Sequence, residues 1–152
     1  MLDPGAPIIR PMTESDLDEV LIIEQASFKA PWRREHFLHE ITAPHSFPSV
    51  AVINRAIAGF ACLMSLFEEA QILDIAVSPQ HRGRGIARML MAHAINYAQQ
   101  QGAEVLTLEV RSSNTAAITL YERSGFIRTG TRQRYYEGKE DAVLMEKTLL
   151  CS

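Results

Sequence analysis

Hydrophobic and polar positions follow two different periods in the centre of the chain. Residues 72–77 (ILDIAV) are mostly apolar and include β-branched side chains, a pattern typical of a strand buried on both faces. From Ile86 onward, apolar residues recur with the period of a helix up to residue 101. Gly83 and Gly85 lie between these segments, and Gly102 can end the helix. A strand, a tight glycine-containing loop and a helix are therefore predicted here.

The remaining segments predict a mixed sheet flanked by helices. Short turns join the early strands, so we expect them to pair antiparallel, with a bulge at Gly59. The strand–helix–strand unit in the middle must be parallel, with a right-handed crossover. The predicted class is α/β (α+β), a mostly antiparallel sheet with one parallel pair and helices on both faces. The predicted strands are 8–10, 49–53, 56–67, 72–77, 105–111, 126–135 and 142–149, and the predicted helices are 13–27, 33–41, 86–101 and 115–124.

The composition is that of one globular domain. With 152 residues, 47% of them hydrophobic, we expect a single domain over 1–152 with a loose tail at 1–7. A net charge of −3 argues against a nucleic-acid-binding protein, and no apolar run is long enough to cross a membrane. Cys62 and Cys151 predict no disulfide framework, and no signal-peptide pattern is present, which favours the cytoplasm. A monomer is the default expectation.

Arginines surround the glycine loop at the start of the predicted helix. Free backbone N–H groups and the helix dipole favour an anion there, especially a phosphate, and arginine side chains add positive charge. The loop matches neither the dinucleotide pattern G-x-G-x-x-G nor the triphosphate pattern G-x-x-x-x-G-K-S/T. A simple turn with solvated arginines is the alternative. The residues concerned are Arg82, Gly83, Arg84, Gly85, Ile86, Ala87 and Arg88.

Three stretches of the chain resemble one enzyme family. The segment RGRGIA fits the pattern Q/R-x-x-G-x-G/A and follows ILDIAVSP. Further on stand LEVRSSNTAAITLYERSGF, residues 108–126, and RYYEGKEDAVLMEK, residues 134–147. Together they resemble the GNAT superfamily of N-acetyltransferases, and within it the RimI type, whose acceptor is the N-terminal alanine of a ribosomal protein. The resemblance covers residues 9–149, and Asp74 and Ala87 are small departures from it.

The resemblance implies an acetyl-CoA-dependent enzyme without a metal. It implies a GNAT-like sheet whose central parallel strands splay apart and leave a cleft for the cosubstrate. The loop at 82–88 would bind the pyrophosphate of coenzyme A. The backbone of Ile75, Ala76 and Val77 would bind the pantetheine arm and stabilise the oxyanion. Asn114 would also contact the cosubstrate, although strand pairing and a helix cap explain these positions equally well from the residues alone.

Two side chains are the candidates for acid–base catalysis. Glu109 lies in an otherwise apolar strand, where a carboxylate is costly unless it is solvated, paired or functional. An ion pair with Arg111 or another cation is the structural explanation, whereas the resemblance makes Glu109 the general base. Tyr121 is by its spacing an ordinary core residue. The resemblance makes it the general acid that protonates the departing thiolate or donates a hydrogen bond to it.

Two clusters with aromatic side chains bear on the acceptor amine. Glu24, Phe28 and Trp32 lie at the end of the first helix and in the break after it. Tyr135 and Tyr136 precede the loop between the last two strands. The resemblance implies that these clusters form two walls of a groove for a protein N-terminus. The alternative is that Phe28 and Trp32 belong to the core and that the tyrosines cover a sheet edge.

Other side chains give weaker signals. His36 and His39 lie one helical turn apart beside glutamates, but no second cluster of ligands supports a metal site, and none is predicted. Asp141 fits the family pattern without a role that the sequence reveals. The main prediction is acetylation of a protein N-terminal amine by direct attack, with a ribosomal protein as the partner. The alternatives are a GNAT enzyme for a lysine side chain or small amine, and a non-catalytic coenzyme-A-binding sensor.

Overall fold

A mixed sheet of seven strands forms the centre of the protein. The structure is a computed structural model that describes residues 5–136 and 138–149. The predicted tail at 1–7 lies partly outside these residues, and Cys151 lies wholly outside them. The strands are β1 (Ile8–Pro11), β2 (Ser46–Ile53), β3 (Ala56–Leu66), β4 (Glu69–Val77), β5 (Val105–Arg111), β6 (Ile127–Tyr136) and β7 (Glu140–Thr148). The helices are α1 (Leu17–Ser27), α2 (Arg34–Thr42), α3 (Ile86–Gln100) and α4 (Thr115–Arg123), with 3₁₀ turns at Glu14–Asp16 and Pro79–His81.

The central pair of strands is parallel, and all its neighbours are antiparallel. The strand order is β1-β2-β3-β4-β5-β7-β6. β4 and β5 pair from their first residues only as far as Gln71 and Thr107, and then separate. Beyond this point β4 continues to Val77 against β3, and β5 continues to Arg111 against β7. The predicted fold class, including its splayed parallel pair, is therefore confirmed.

Helices cover both faces of the sheet, as predicted. α1 and α2 pack on one face around Phe37 and Phe60, whose rings meet edge to face at 5.5 Å. α3 and α4 pack on the other face, where Met91 and Ile118 join one core. The buried residues of β5 alternate along the strand, as its sequence predicted, and are Leu106, Leu108 and Val110. Within the described residues, no helix is long and apolar enough to span a bilayer.

Gly59 allows α3 to approach the sheet closely. A Cβ atom at this position would lie 2.8 Å from the carbonyl oxygen of Ala76 and 3.2 Å from Cδ1 of Leu90. The register between β2 and β3 shifts immediately after the pair formed by Ala51 and Gly59, which leaves Ala58 as the extra residue. The predicted bulge is therefore present, one residue before Gly59. The absence of a side chain at Gly59 leaves room for Ile86 and Leu90 of α3 against the sheet.

Most element boundaries lie within one residue of the predicted ones, and four starts differ by more. α1 begins at Leu17, after a 3₁₀ turn, and not at residue 13, and β4 begins at Glu69, three residues before its predicted start. β2 begins at Ser46, earlier than predicted, and includes Pro48. Proline is tolerated there because the pairing of β1 ends opposite Ser49, so no ladder bond from the Pro48 nitrogen is needed on that side. β7 begins at Glu140, so the predicted polar loop at 137–141 is shorter than expected.

Candidate active site

The separation of β4 and β5 opens a cleft of about 700 Å³. β4 lines it from Ile72 to Val77, β5 lines it from Leu108 to Arg111, and α1 and α4 contribute further side chains. The predicted site residues in this lining are Glu24, Phe28, Trp32, Ile75, Ala76, Val77, Arg82, Ala87, Glu109, Asn114, Tyr121 and Tyr136. The predicted site residues outside the lining are Gly83, Arg84, Gly85, Ile86, Arg88 and Tyr135.

The glycine loop leads into α3 at the rim of the cleft. Gly83 and Gly85 both have a φ of 78°, in the left-handed region that favours glycine, and Gly85 caps the helix. The first helical hydrogen bond runs from the Met89 N–H to the Gly85 carbonyl, so the N–H groups of residues 86–88 have no helical acceptor. Ile86 is 1% exposed and packs in the core, so only its backbone is available to a ligand. This geometry suits a phosphate.

The arginines of the loop differ in their contacts. Arg82 donates from Nε to the Val77 carbonyl at 3.2 Å and from Nη2 to Ser27 Oγ at 3.3 Å. These bonds link the end of β4 to the end of α1, beside the cleft. Arg84 and Arg88 are exposed outside the lining. Of the three side chains, Arg82 is therefore the one that the structure holds at the cleft.

Asn114 caps α4 and also lines the cleft. Its Oδ1 accepts a hydrogen bond from the Ala117 N–H at 3.2 Å. The helix cap predicted from the residues is therefore confirmed, while a contact with a cosubstrate stays a prediction. Ala116 and Ala117 follow in the lining, and their short side chains leave the cleft open on this side.

Glu109 lines the cleft from β5 and forms an ion pair. Its Oε1 lies 3.3 Å from Nη2 of Arg132 on β6, and its side chain is 19% exposed. Arg111 pairs with Glu140, also at 3.3 Å. The ion pair expected for Glu109 is thus present, with Arg132 as a cation. Because Glu109 still lines the cleft, this pairing leaves it within reach of a substrate.

Tyr121 lines the cleft from α4 and is buried. Its ring centroid lies 6.1 Å from that of Phe126, so the core packing expected from its spacing is present. Burial, followed by the charges of Asp74 and Tyr136, raises the pKa of the Tyr121 hydroxyl well above its usual value. The hydroxyl is therefore protonated at neutral pH and can donate a hydrogen bond into the cleft.

Glu24, Phe28 and Trp32 contribute one wall of the cleft. The Trp32 ring lies 5.2 Å from Phe37 and 5.9 Å from His36, and Phe28 packs against the same core. Oε2 of Glu24 accepts a hydrogen bond of 2.9 Å from the backbone N–H of Trp32. This bond fixes the break between α1 and α2. Phe28 and Trp32 therefore belong to the core and line the cleft at the same time.

Tyr136 lines the cleft, whereas Tyr135 is 49% exposed and lies outside the lining. The two rings meet edge to face at 5.1 Å, and the Arg111 guanidinium lies 4.3 Å from the centroid of the Tyr136 ring. Asp141 holds the bend before them, because its Oδ1 accepts the Arg134 N–H at 2.8 Å. Asp141, whose role the sequence left open, thus shapes the strand end that carries both tyrosines.

The chain is similar over nearly its whole length to known acetyltransferases. A family model described as "Acetyltransferase (GNAT) family" matches residues 17–126. The ribosomal protein bS18-alanine N-acetyltransferase of Salmonella typhimurium is 36% identical over 137 residues, covering 88% of this chain and 92% of that protein. Its Escherichia coli K12 counterpart is 34% identical over 140 residues, covering 90% and 94%. The crystal structure of the ribosomal-protein-S18-alanine N-acetyltransferase from Escherichia coli matches with a TM-score of 0.89 and 32% identity, covering 97% of this chain and 96% of that one. The chain belongs to the GNAT acetyltransferase family.

The cleft of this GNAT protein fits the cosubstrate that its family uses. The protein is an acetyl-CoA-dependent N-acetyltransferase, as predicted. Beyond Gln71, the edge of β4 that faces β5 has no strand partner, which leaves backbone groups for an elongated polar ligand. The N–H groups at the start of α3 suit the phosphates of the same ligand.

Asp74 lines the cleft of this GNAT enzyme, although the sequence marked it only as a departure from the family pattern. A carboxylate within the apolar segment 72–77 was the available signal, and the same reasoning had singled out Glu109. Ser27 and Arg132 also contact predicted site residues. Their roles depend on neighbours that lie far along the chain, and no local pattern reveals these neighbours.

His36 and His39 both lie on α2. His36 Nδ1 accepts the Arg33 N–H at 3.0 Å and thereby caps α2. His39 lies 4.0 Å from Glu40 on the same helix. In the part of the chain that the structure describes, no group of three or more histidine, cysteine, aspartate or glutamate side chains could hold a metal ion. Cys62 is buried, and burial raises the pKa of its thiol well above the usual value.

Proposed function

We propose that this enzyme acetylates the α-amino group of a protein N-terminus, with the N-terminal alanine of a ribosomal protein as the leading acceptor. The similarity over nearly the whole chain to two proteins named for ribosomal protein bS18 alanine carries this proposal. The cleft supports it, because Phe28 and Trp32 of one wall and Tyr136 of the other line the same space. An extended peptide terminus fits between such walls.

The glycine loop and β4 bind acetyl-CoA, which supplies the activated acetyl group. The segment 82–88 holds the pyrophosphate through backbone N–H groups and the dipole of α3. The backbone of 75–77 binds the pantetheine arm. One N–H of this stretch stabilises the oxyanion that forms when the amine attacks the thioester carbonyl. Asn114 contacts the cosubstrate while it caps α4.

Glu109 acts as the general base for the acceptor amine. An α-amino group has a pKa of about 8, so a weak general base is enough to remove its proton near neutral pH. The Arg132 guanidinium at 3.3 Å fixes the position of the Glu109 carboxylate. Glu109 therefore orients one or two waters, through which the proton leaves the amine.

Tyr121 acts on the departing thiolate. Its hydroxyl is protonated throughout the working pH range, because burial raises its pKa. A thiol has a pKa of about 8.5, so full proton transfer from this hydroxyl to a free thiolate is uphill. A hydrogen bond that strengthens as charge develops on sulfur is therefore the larger part of its contribution.

We further propose that the whole chain, residues 1–152, works as one acetyltransferase domain, as a monomer in the cytoplasm. The proposed catalytic, acceptor and donor residues all lie in or beside one cleft of one chain, so the chemistry requires no second copy. Ribosomal proteins are made in the cytoplasm, where such an acceptor would be met.

Release of free thiol from acetyl-CoA, followed with an acceptor panel, tests the proposal. The panel contains an Ala-first peptide, a Met-first peptide, an N-acetylated Ala-first peptide with an internal lysine, and a polyamine. We expect fast turnover of the Ala-first peptide and none when its terminus is blocked. Glu109→Gln should lower kcat by about a hundredfold. Glu104→Gln is the matched control, because Glu104 is an exposed glutamate directly before β5, outside the cleft, and should leave kcat unchanged.

The panel separates the alternatives. Turnover only with the lysine peptide or the polyamine would contradict the N-terminal acceptor and favour a GNAT enzyme for another amine. Tight binding of coenzyme A without turnover of any acceptor would favour a sensor. A kcat for Glu109→Gln equal to that of the wild type would remove Glu109 from the mechanism.

A further inference from the structure

One carboxylate joins two segments of the chain at the edge of the cleft. Glu140, the first residue of β7, accepts the Ser113 N–H at Oε1, 2.8 Å away, while its Oε2 lies 3.3 Å from Nη1 of Arg111. The side chains of Arg111 and Glu140 are 15% and 18% exposed. Hydrogen bonds from Ser113, and then the Arg111 guanidinium, lower the pKa of Glu140 below its usual value, so the carboxylate is ionised at neutral pH. Each oxygen of one fixed charge therefore holds a different segment.

Arg111 links Glu140 to the Tyr136 ring of the acceptor wall. The guanidinium carbon of Arg111 lies 4.3 Å from the centroid of that ring. A guanidinium is planar, so its face can lie over an aromatic ring while its edge donates N–H groups to a carboxylate. Tyr136 lines the cleft, and in the register of β6 and β7 it is the partner of Glu140 itself. Glu140 therefore supports the Tyr136 ring through Arg111.

Ser113 connects the same carboxylate to the donor side of the cleft. Ser113 directly precedes Asn114, the cap of α4, and both residues line the cleft. The neighbouring Ser112 N–H donates to the Asp141 carbonyl at 3.1 Å. The turn between β5 and α4 is thus bound to the start of β7 at two successive residues. Its bond to Glu140 fixes the backbone that carries Asn114.

We propose that Glu140 is a positioning residue for both substrates. Through Arg111 it holds the Tyr136 ring in the acceptor wall. Through Ser113 it holds the turn that carries the proposed cosubstrate contact, Asn114. This inference rests on the proposed function, which assigns the two sides of the cleft. Glu140 lies outside the cleft lining, so it acts on the substrates through these neighbours and takes no part in proton transfer.

A purely structural ion pair predicts a different result. Such a pair affects the free energy of folding, so its loss would lower Tm and leave both KM values unchanged. A positioning role predicts instead that the KM values change in a pattern set by the contacts. Loss of the Arg111 side chain should affect the acceptor alone, whereas loss of the Glu140 side chain should affect both substrates.

Kinetics of variants at Glu140 and Arg111 test this pattern. Arg111→Met leaves the bond between Glu140 and Ser113 in place, and we expect it to raise the acceptor KM about tenfold and the acetyl-CoA KM less than about twofold. Glu140→Ala removes both contacts, so both KM values should rise about fivefold. kcat should stay within about threefold in each, because the proposed base and acid are unchanged. Glu146→Ala is the matched control, because Glu146 is an exposed glutamate of the same strand, outside the cleft.

The double variant shows whether Glu140 acts on the acceptor through Arg111. If it does, Glu140→Ala adds nothing to the acceptor KM in the Arg111→Met background, although it still raises the KM of acetyl-CoA. Independent effects on the acceptor would instead multiply to about fiftyfold.

A direct measurement of the ring separates positioning from folding. The protein is labelled with 3-fluorotyrosine, and the ¹⁹F signal of Tyr136 is assigned by its loss in Tyr136→Phe. Glu140→Gln keeps the shape of the side chain and removes its charge, and we expect it to shift this signal in the free enzyme. Glu146→Gln should leave the signal in place. The signal of Tyr97, whose ring packs against Phe47 outside the cleft, reports whether the fold is intact.

The outcomes are distinct for Glu140 and for the proposed function. A KM of either substrate within about twofold of the wild type in Glu140→Ala would overturn the inference, as would a Tyr136 signal that Glu140→Gln does not shift. An acceptor KM raised about fiftyfold in the double variant would also overturn it, because Glu140 would then act independently of Arg111. If only a lysine peptide or a polyamine is acetylated, and its KM follows the expected pattern, the role of Glu140 is supported and the proposed N-terminal acceptor is wrong.

Discussion

At the scale of single residues, the Tyr121 hydroxyl is the sharpest test of the proposed chemistry. Tyr121→Phe keeps the ring that packs near Phe126 and removes the hydrogen bond to the departing thiolate. We expect kcat to fall by about a hundredfold, with little change in KM or Tm. Steady-state kinetics measure this, and Tyr97→Phe is the control, since the Tyr97 ring packs 4.8 Å from Phe47, outside the cleft. An unchanged kcat would leave Tyr121 a core residue only.

Single residues were predictable where a local pattern made them unusual. Glu109 stood out because it interrupts an apolar strand, and the structure places it in the cleft. Asp74 interrupts an apolar strand in the same way, but it was marked only as a departure from the family pattern, although it also lines the cleft. The cation beside Glu109 could not be chosen from spacing, because Arg132 reaches it from a strand that is not sequence-adjacent. Contacts between distant residues depend on the sheet order.

At the scale of elements, two glycines at opposite ends of α3 can be compared, with Gly102 as the control for Gly85. Gly85 and Gly102 both have positive φ, at 78° and 91°, and no atom would contact an added Cβ at either position. Alanine at either site should therefore lower the free energy of unfolding by about 1–2 kcal/mol through backbone strain alone. Chemical denaturation checks this equality.

The two glycine variants should differ in their effect on the cosubstrate. Gly85 caps the helix whose N–H groups are proposed to hold the pyrophosphate, whereas Gly102 follows the other end of α3. We expect Gly85→Ala to raise the KM of acetyl-CoA severalfold and Gly102→Ala to leave it unchanged. Equal KM values for the two variants would show that the loop conformation does not contribute to cosubstrate binding.

Element order and type were predictable from the sequence, and boundaries were predictable where the hydrophobic pattern was uninterrupted. The predicted β5 coincides with the observed strand, because its alternation of apolar residues is uninterrupted. The predicted start of β2 was wrong because a proline argues against a strand whose neighbour continues beside it. Here the pairing of β1 ends opposite Ser49, one residue after Pro48. The predicted start of β7 was wrong because a glutamate in a polar segment is typical of a loop. In the structure, the Glu140 carboxylate accepts the Ser113 N–H at 2.8 Å.

At the scale of the whole molecule, tyrosine ionisation should limit stability at high pH. Burial, and then the charge of Glu109, raises the pKa of Tyr136 to about 12. The folded state thus binds this proton more tightly than the unfolded state, whose tyrosine pKa is about 10. The stabilisation is complete below about pH 10 and is lost as pH rises from about 10 to about 12.

Denaturant titrations across that pH range measure the loss of stability. In Tyr136→Phe, the free energy of unfolding should fall less steeply with pH than in the wild type, because the titrating hydroxyl is absent. Identical slopes for the two proteins would show that Tyr136 titrates alike in the folded and unfolded states. Tyr121→Phe should also reduce the slope, because burial raises the pKa of Tyr121 in the same direction.

The cleft itself is a property of the whole sheet. It exists because β4 and β5 stop pairing after Gln71 and Thr107, while each keeps its other neighbour. Residue spacing predicted that these strands are parallel, and only the family resemblance implied that they separate. The register shift between β3 and β4 lies beside the point of separation, and it is a property of the strand pairing that no local pattern reveals.

The position of the transferred acetyl group tests the proposed function most directly. Tandem mass spectrometry of the product locates that group on an Ala-first peptide with an internal lysine, incubated with the enzyme and acetyl-CoA. We predict a single acetyl group on the N-terminal alanine. Acetylation of the lysine side chain, with the terminus left free, would contradict it.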